Sequence, residues 1–105
     1  MPVYELATMP GCFYHGEWKN GRPYGMGKIY GVNGIYFEGG FINGVVTCKY
    51  GVFIYPDGSY YKGMFKDNKF HGPGSFHYAY NYYHYGGEWK DNKPHGKKGV
   101  ESFKN

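Results

Sequence analysis

Tyr61-Lys62-Gly63-Met64-Phe65-Lys66-Asp67-Asn68-Lys69-Phe70-His71-Gly72-Pro73-Gly74 is the stretch from which the rest of the chain can be read. In its first half the order is aromatic, any, Gly, any, aromatic. That is strand alternation, with Tyr61, Gly63 and Phe65 on one face and Lys62, Met64 and Lys66 on the other. Asp67-Asn68 stops the run, and Asn, Asp and Gly are the residues that tolerate the positive φ of a two-residue hairpin turn. The stretch is a β-hairpin, and its plan recurs. It returns as Tyr14-His15-Gly16-Glu17-Trp18-Lys19-Asn20-Gly21, as Phe37-Glu38-Gly39-Gly40-Phe41-Ile42-Asn43-Gly44 and as Tyr85-Gly86-Gly87-Glu88-Trp89-Lys90-Asp91-Asn92. The leading aromatics at 14, 37, 61 and 85 are 23, 24 and 24 residues apart, a period that marks a repeat architecture.

Each returning strand carries glycines, in Gly25-Met26-Gly27, Gly72-Pro73-Gly74 and the stretched Gly96-Lys97-Lys98-Gly99. Glycine costs a strand stability, so its recurrence implies room left for the rings of a neighbouring hairpin to lie over bare backbone. A second turn closes each unit at Val32-Asn33-Gly34, Pro56-Asp57-Gly58 and around Tyr80-Asn81. The expected fold class is all-β: an elongated single-layer antiparallel sheet of consecutive β-hairpins, in four units at 14–34, 35–58, 59–81 and 82–105. Residues 1–13 precede the first unit as an extended arm or a degenerate repeat, bracketed by Pro2 and Pro10. In the second unit Val45-Val46-Thr47-Cys48-Lys49 lengthens the return, which predicts a bulge or tilted loop. The aromatic run from Phe76 to Tyr85 needs a register break at Asn81 for Tyr85 to regain the repeat face.

Tyr-x-Gly-x-Trp/Phe, then Asn-Gly or Asp-Asn, then His-Gly-x-Gly and an aromatic before Asp-Gly, resembles the MORN repeat (membrane occupation and recognition nexus) across roughly residues 14 to 103. Several positions match together, in register, four times. The resemblance implies an assembly role, since such repeats are found in junctional, cytoskeletal and ciliary proteins, radial-spoke components among them. Related repeats also flank lipid-kinase and lysine-methyltransferase domains, but no stretch here resembles either active site.

Composition agrees with an array and excludes other classes. With 19 Gly and 23% aromatic residues in 105, aliphatic side chains for a sandwich core are scarce. A buried ring removes about 150–250 Å² from water, roughly 4–6 kcal/mol before entropy, so two or three rings per unit stacked on the next supply the cohesion. Cys12 and Cys48 make no disulfide framework, and no charged-then-apolar leader opens the chain, so a reduced, intracellular protein is expected. No apolar run approaches the roughly 20 residues of a membrane-spanning helix. The net charge of +4, with Arg22 the single arginine, argues against nucleic acid as a partner.

Catalysis, cofactor and metal are not expected. His71 and His95 share a repeat slot that Tyr24 and Tyr50 fill elsewhere, and His15, His77 and His84 follow no zinc-ligand spacing. Ser59, Ser75 and Ser102 lack a nucleophile-elbow context, the two cysteines lack an activating partner, and Glu17 and Glu88 read as outward strand residues. The glycines follow the strand period and form no phosphate-cradling loop. Two sets of residues remain as binding candidates. Tyr14, Trp18, Phe37, Phe41, Tyr61, Phe65, Tyr85 and Trp89 define an aromatic repeat face for packing and protein contact, and open sheet edges invite another chain. Lys19, Arg22, Lys66, Lys69, Lys90 and Lys93 flank hairpin turns and line one edge as a site for acidic phospholipid. About four net positive charges, at roughly 1 kcal/mol each, give a dissociation constant near millimolar, so a single copy binds such a membrane weakly. The expected function is a non-enzymatic scaffold subunit of a larger cytoplasmic, cytoskeletal or axonemal assembly, with the lipid tether as the alternative.

Overall fold

The computed structural model describes residues 11–80 and 83–103, and the side chains of all of these except 33, 83 and 96–103. Of the expected arm over 1–13, residues 1–10 lie outside the described residues, as does the register break at Asn81, and Phe13 already belongs to the first strand.

The described residues form one antiparallel sheet of nine strands in a single layer, with principal extents of 44 × 27 × 18 Å. The strands are β1 (Phe13–Lys19), β2 (Arg22–Tyr30), β3 (Tyr36–Ile42), β4 (Val45–Val46), β5 (Cys48–Ile54), β6 (Tyr60–Lys66), β7 (Lys69–His77), β8 (Tyr83–Lys90) and β9 (Lys93–Phe103). They pair in chain order apart from two-residue β4, which pairs β3 alone, and β1 and β9 are the outer strands. One 3₁₀ turn, Val32–Gly34, links β2 to β3.

The turn chemistry expected from the sequence is realised in backbone angles. Asn20 and Gly21 stand at φ 52 and 75°, Asn43 and Gly44 at 49 and 83°, Asp67 and Asn68 at 51 and 68°, Asp91 and Asn92 at 51 and 70°. Positive φ at both central residues is the type I′ hairpin turn, whose twist matches that of the strands it joins.

Registers explain the recurring glycines. Gly16 lies opposite Gly27, and Gly63 opposite Gly74, each beside a shift at the next residue of the leading strand. The leading tyrosine reaches over this bare backbone: Tyr14 Oη donates to the Glu17 carbonyl and Tyr61 Oη to the Met64 carbonyl, both at 2.8 Å. Tyr85 repeats the bond to Glu88 at 3.5 Å. Unit two has Phe37 there, without a hydroxyl, and half-buried Cys48 approaches the same ground beside Gly39 and Gly51. Its longer return is taken up by the break at Thr47 and a register shift between Cys48 and Gly51.

Among the described residues no second layer covers the sheet, and rings cover one another. Within each unit the two repeat aromatics meet edge-on: Tyr14–Trp18 at 4.9 Å, Phe37–Phe41 at 5.6 Å, Tyr61–Phe65 at 5.1 Å and Tyr85–Trp89 at 5.4 Å between centroids. Between units the leading ring of one meets the second ring of the next: Tyr14–Phe41 and Phe37–Phe65 at 5.2 Å, Tyr61–Trp89 at 5.3 Å, all near perpendicular. Edge-to-face contact suits the aromatic quadrupole. Ile29, Val46, Phe53 and Phe70 fill in between them.

A backbone clasp joins each hairpin turn to the preceding unit. The N–H of the second turn residue donates to a carbonyl one unit back: Gly44 to Pro23 at 2.8 Å, Asn68 to Val46 at 2.9 Å and Asn92 to Phe70 at 3.1 Å. At two joints the Asn side chain completes a ring, its Oδ1 accepting from the Val46 or Phe70 N–H at 2.8 Å. Pro23 has no N–H to offer, and its partner Gly44 has no side chain to receive one. Asn68→Gly keeps the positive φ but strips the acceptor from Val46, which is fully buried. An orphaned buried donor costs about 1–3 kcal/mol, so the urea midpoint should fall, and amide exchange at Val46 should quicken relative to Phe70.

Candidate functional site

Seven of the eight predicted repeat-face aromatics are buried or half-buried in the ring series, and Trp18 is not. Phe41, Phe65 and Trp89 are 2, 0 and 6% exposed, whereas Trp18, at the same repeat place on outer strand β1, is 58% exposed. Trp89 is held twice, by Tyr61 across its face and by a bond from its Nε1 to the Gly74 carbonyl at 3.0 Å. The repeat face therefore serves chiefly as the core, and what it leaves open lies towards its ends.

Beyond Trp89 the core face opens into a cleft of about 480 Å³ whose apolar wall includes Tyr55, Phe76, Tyr78, Tyr85, Trp89 and Pro94. Asp57 and Ser59 give it a polar end. Ser59 is buried, donates its N–H to Asp57 Oδ1 at 2.8 Å and accepts the Ala79 N–H on its Oγ at 3.0 Å, which pins the Pro56-Asp57-Gly58 turn against the end of β7. Sequence reading missed this cleft. Tyr55 and Tyr78 lie outside the repeating pair of aromatics, and the signal available was their position flanking the second turns.

All six predicted cations, Lys19, Arg22, Lys66, Lys69, Lys90 and Lys93, are exposed at the hairpin tips. They face one another across their own turns, Lys19 opposite Arg22, Lys66 opposite Lys69 and Lys90 opposite Lys93. Lys19 Nζ sits 4.8 Å over the Tyr24 ring, a cation–π contact. The tip of unit two carries no cation, and Ile42 stands there 51% exposed. Glu17, read as an outward residue, is exposed but also accepts the Met26 N–H on Oε2 at 2.7 Å, so it serves the irregular crossing from β1 to β2.

The opposite face carries a second row of rings in cross-strand register. Tyr30 pairs Tyr36 at 5.3 Å, and Tyr60, His77 and His84 stack across β6, β7 and β8 at 4.5 and 4.2 Å with planes within 16°. Burial, then His84, then Lys62 push the His77 imidazole below its ordinary 6.5, so it is neutral at pH 7. Burial, the hydrogen bond to Glu38 and that carboxylate's charge push the Tyr36 phenol up to about 12. Burial raises Tyr14, Tyr55 and Tyr61 as well. Below pH 6.5 the unfolded chain takes up a proton that folded His77 refuses, and above pH 10 it releases phenolic protons that the fold retains. Stability should be greatest between those values and decline on either side. Urea midpoints across pH check this, with His77→Gln expected to soften the acid decline and leave the alkaline one.

Among the described residues no three or more His, Cys, Asp or Glu side chains come together to hold a metal ion. No helix among them is long and apolar enough to cross a membrane. Burial raises the Cys48 thiol, which keeps it protonated and unsuited to attack.

A single-layer run of hairpins, joined to their neighbours by ring contacts and turn clasps, defines a β-repeat array. A family model of the MORN repeat matches residues 14–36, 50–60, 61–79 and 85–105, and the chain belongs to that family. The unmatched 37–49 includes the lengthened return of unit two at 45–49. The MORN repeat is a non-catalytic repeat that engages proteins or membranes.

Proposed function

We propose that this chain is a non-enzymatic scaffold subunit that holds other proteins within a larger intracellular assembly, cytoskeletal or axonemal. The observation that carries this reading is the open sheet. Among the described residues the outer strands β1 and β9 each pair on one side only, and the core face ends in an aromatic cleft. Unpaired strand edges recruit extended segments through main-chain bonds, and an apolar cleft beside them supplies side-chain specificity. Tyr and Trp, which dominate the cleft wall, are the residues that anchor protein interfaces. The test is co-sedimentation of the endogenous protein with salt-washed cytoskeleton. Retention that Tyr55→Ser with Tyr78→Ser abolishes supports the reading, and a freely soluble protein with no companions in cell extract counts against it.

The aligned, exposed lysine tips favour one further reading, a tether to acidic phospholipid. Flotation with phosphoinositide vesicles at low and high salt tests it. Recovery should fall with salt and on replacing Lys66, Lys69, Lys90 and Lys93 by Gln, and equal recovery on neutral vesicles would dispose of the idea.

A further inference from the structure

The two outer strands carry matching halves of the contacts that join one unit to the next. Each internal joint has an acceptor carbonyl on the earlier unit, at Pro23, Val46 or Phe70, and a donor N–H on the following turn, at Gly44, Asn68 or Asn92. The next acceptor in that series is Pro94, which lies opposite Trp89 as Phe70 lies opposite Phe65. The donor that would precede the series is Gly21, at φ 75°, with nothing within 4 Å of where a Cβ would stand. A proline acceptor gives an Asn side chain no N–H to bind, so at such a joint the main-chain bond stands alone and Gly serves as donor. The joint already built that way is Pro23 with Gly44, and the two outer strands offer the same combination, Pro94 and Gly21.

The rings agree. Each second ring within the array is covered by the leading ring of the unit before it, and Trp18 is the one second ring without such cover among the described residues. At the other outer strand Tyr85 is the leading ring that stands last in the series; it keeps 7% of its surface exposed, where Phe37 and Tyr61 keep none, and it lines the open cleft with Pro94.

We propose that copies of this chain associate end to end, β1 of one against β9 of the next. Trp18 lies on Tyr85 and the Gly21 N–H donates to the Pro94 carbonyl. The association is heterologous, so it extends and does not close into a symmetric pair. It brings the cations beside the Asn20-Gly21 turn near Lys90 and Lys93, so screening by salt favours it. It rests on the reading of the outer strands as contact surfaces and names a second copy as an occupant.

Sedimentation velocity of the full chain, across concentration and at two salt levels, reads the result. The mass should climb past the dimer, more so at high salt. Trp18→Glu removes the ring at one end, and Pro94→Lys sets a further cation against Lys19 and Arg22 of the incoming turn at the other. Each alone should weaken association at least about 30-fold, while circular dichroism and urea midpoints, taken at dilution, stay near those of the parent because both residues are exposed. Mixed, the two variants have one intact end each, so they should form a dimer and go no further. A chain that stays monomeric at every concentration, an association indifferent to Trp18→Glu, or a dimer that the mixture fails to restore would each overturn the proposal. A monomeric chain that still sediments with cytoskeleton would sink this inference alone and leave the scaffold reading standing.

Discussion

Replacing Phe65 by Ala should lower the midpoint of thermal unfolding by roughly 12–25 °C, from a loss of about 3–5 kcal/mol at about 4–5 °C per kcal/mol in a domain of this size. The ring has no exposed surface and touches Phe37 of the preceding unit at 5.2 Å, Tyr61 of its own at 5.1 Å and Phe70 at 5.5 Å. Its Cε1 lies over bare Gly51, so removing it uncovers backbone as well as three rings. A fold at the lower end of the usual range of about 5–15 kcal/mol would lose most of its stability in this way. The control is Trp18→Ala at the same repeat position, measured at dilution. With Trp18 largely exposed, its loss should cost under about 1 kcal/mol. Equal losses at the two positions would show that repeat position decides stability and that the ring-on-ring core does not.

Gly74→Ala should cost about 3 kcal/mol, at the top of the range for overpacking. The Tyr61 hydroxyl and ring carbons occupy the place an added Cβ would take. Tyr61 has nowhere to go: it is fully buried, its Oη bonds the Met64 carbonyl, its ring stacks on Phe70 at 3.9 Å and Trp89 closes the far side at 5.3 Å. Tyr61→Phe removes the nearest atom and the bond together, so the double variant should lose less than the two single losses added, a coupling expected of neighbours that share one space. Thermal scans of the three variants measure it. Strict additivity, or a Gly74→Ala midpoint equal to that of the parent, would show that the tyrosine can slide along the strand.

The hairpins were legible because their turns use residues with few alternatives. Asn-Gly and Asp-Asn between alternating strands predict positive φ at both central positions, and all four pairs adopt it. Tyr61, Gly63 and Phe65 likewise declared their face through a period of two. What stayed hidden depends on residues far apart in sequence. The clasp joins Val46 to Asn68 across 22 positions, and neither residue alone differs from an ordinary strand or turn residue. Trp18 reads like Trp89, yet one is exposed and the other buried, because burial here comes from the unit alongside. The cleft formed by Tyr55, Tyr78 and Pro94 depends on how the second turns fold back, which local periodicity does not encode. The missing hydroxyl at Phe37 was visible, but its meaning required the bond that Tyr14 and Tyr61 make.

The two kinds of turn clasp also bear on how such a chain lengthens over evolution. Copying the genetic segment that runs from one asparagine-type fastening to the next inserts a hairpin that mates on both sides, because carrier and receiver travel together. A copy started at the proline-type fastening keeps the main-chain bond but completes no side-chain ring, because proline offers no N–H.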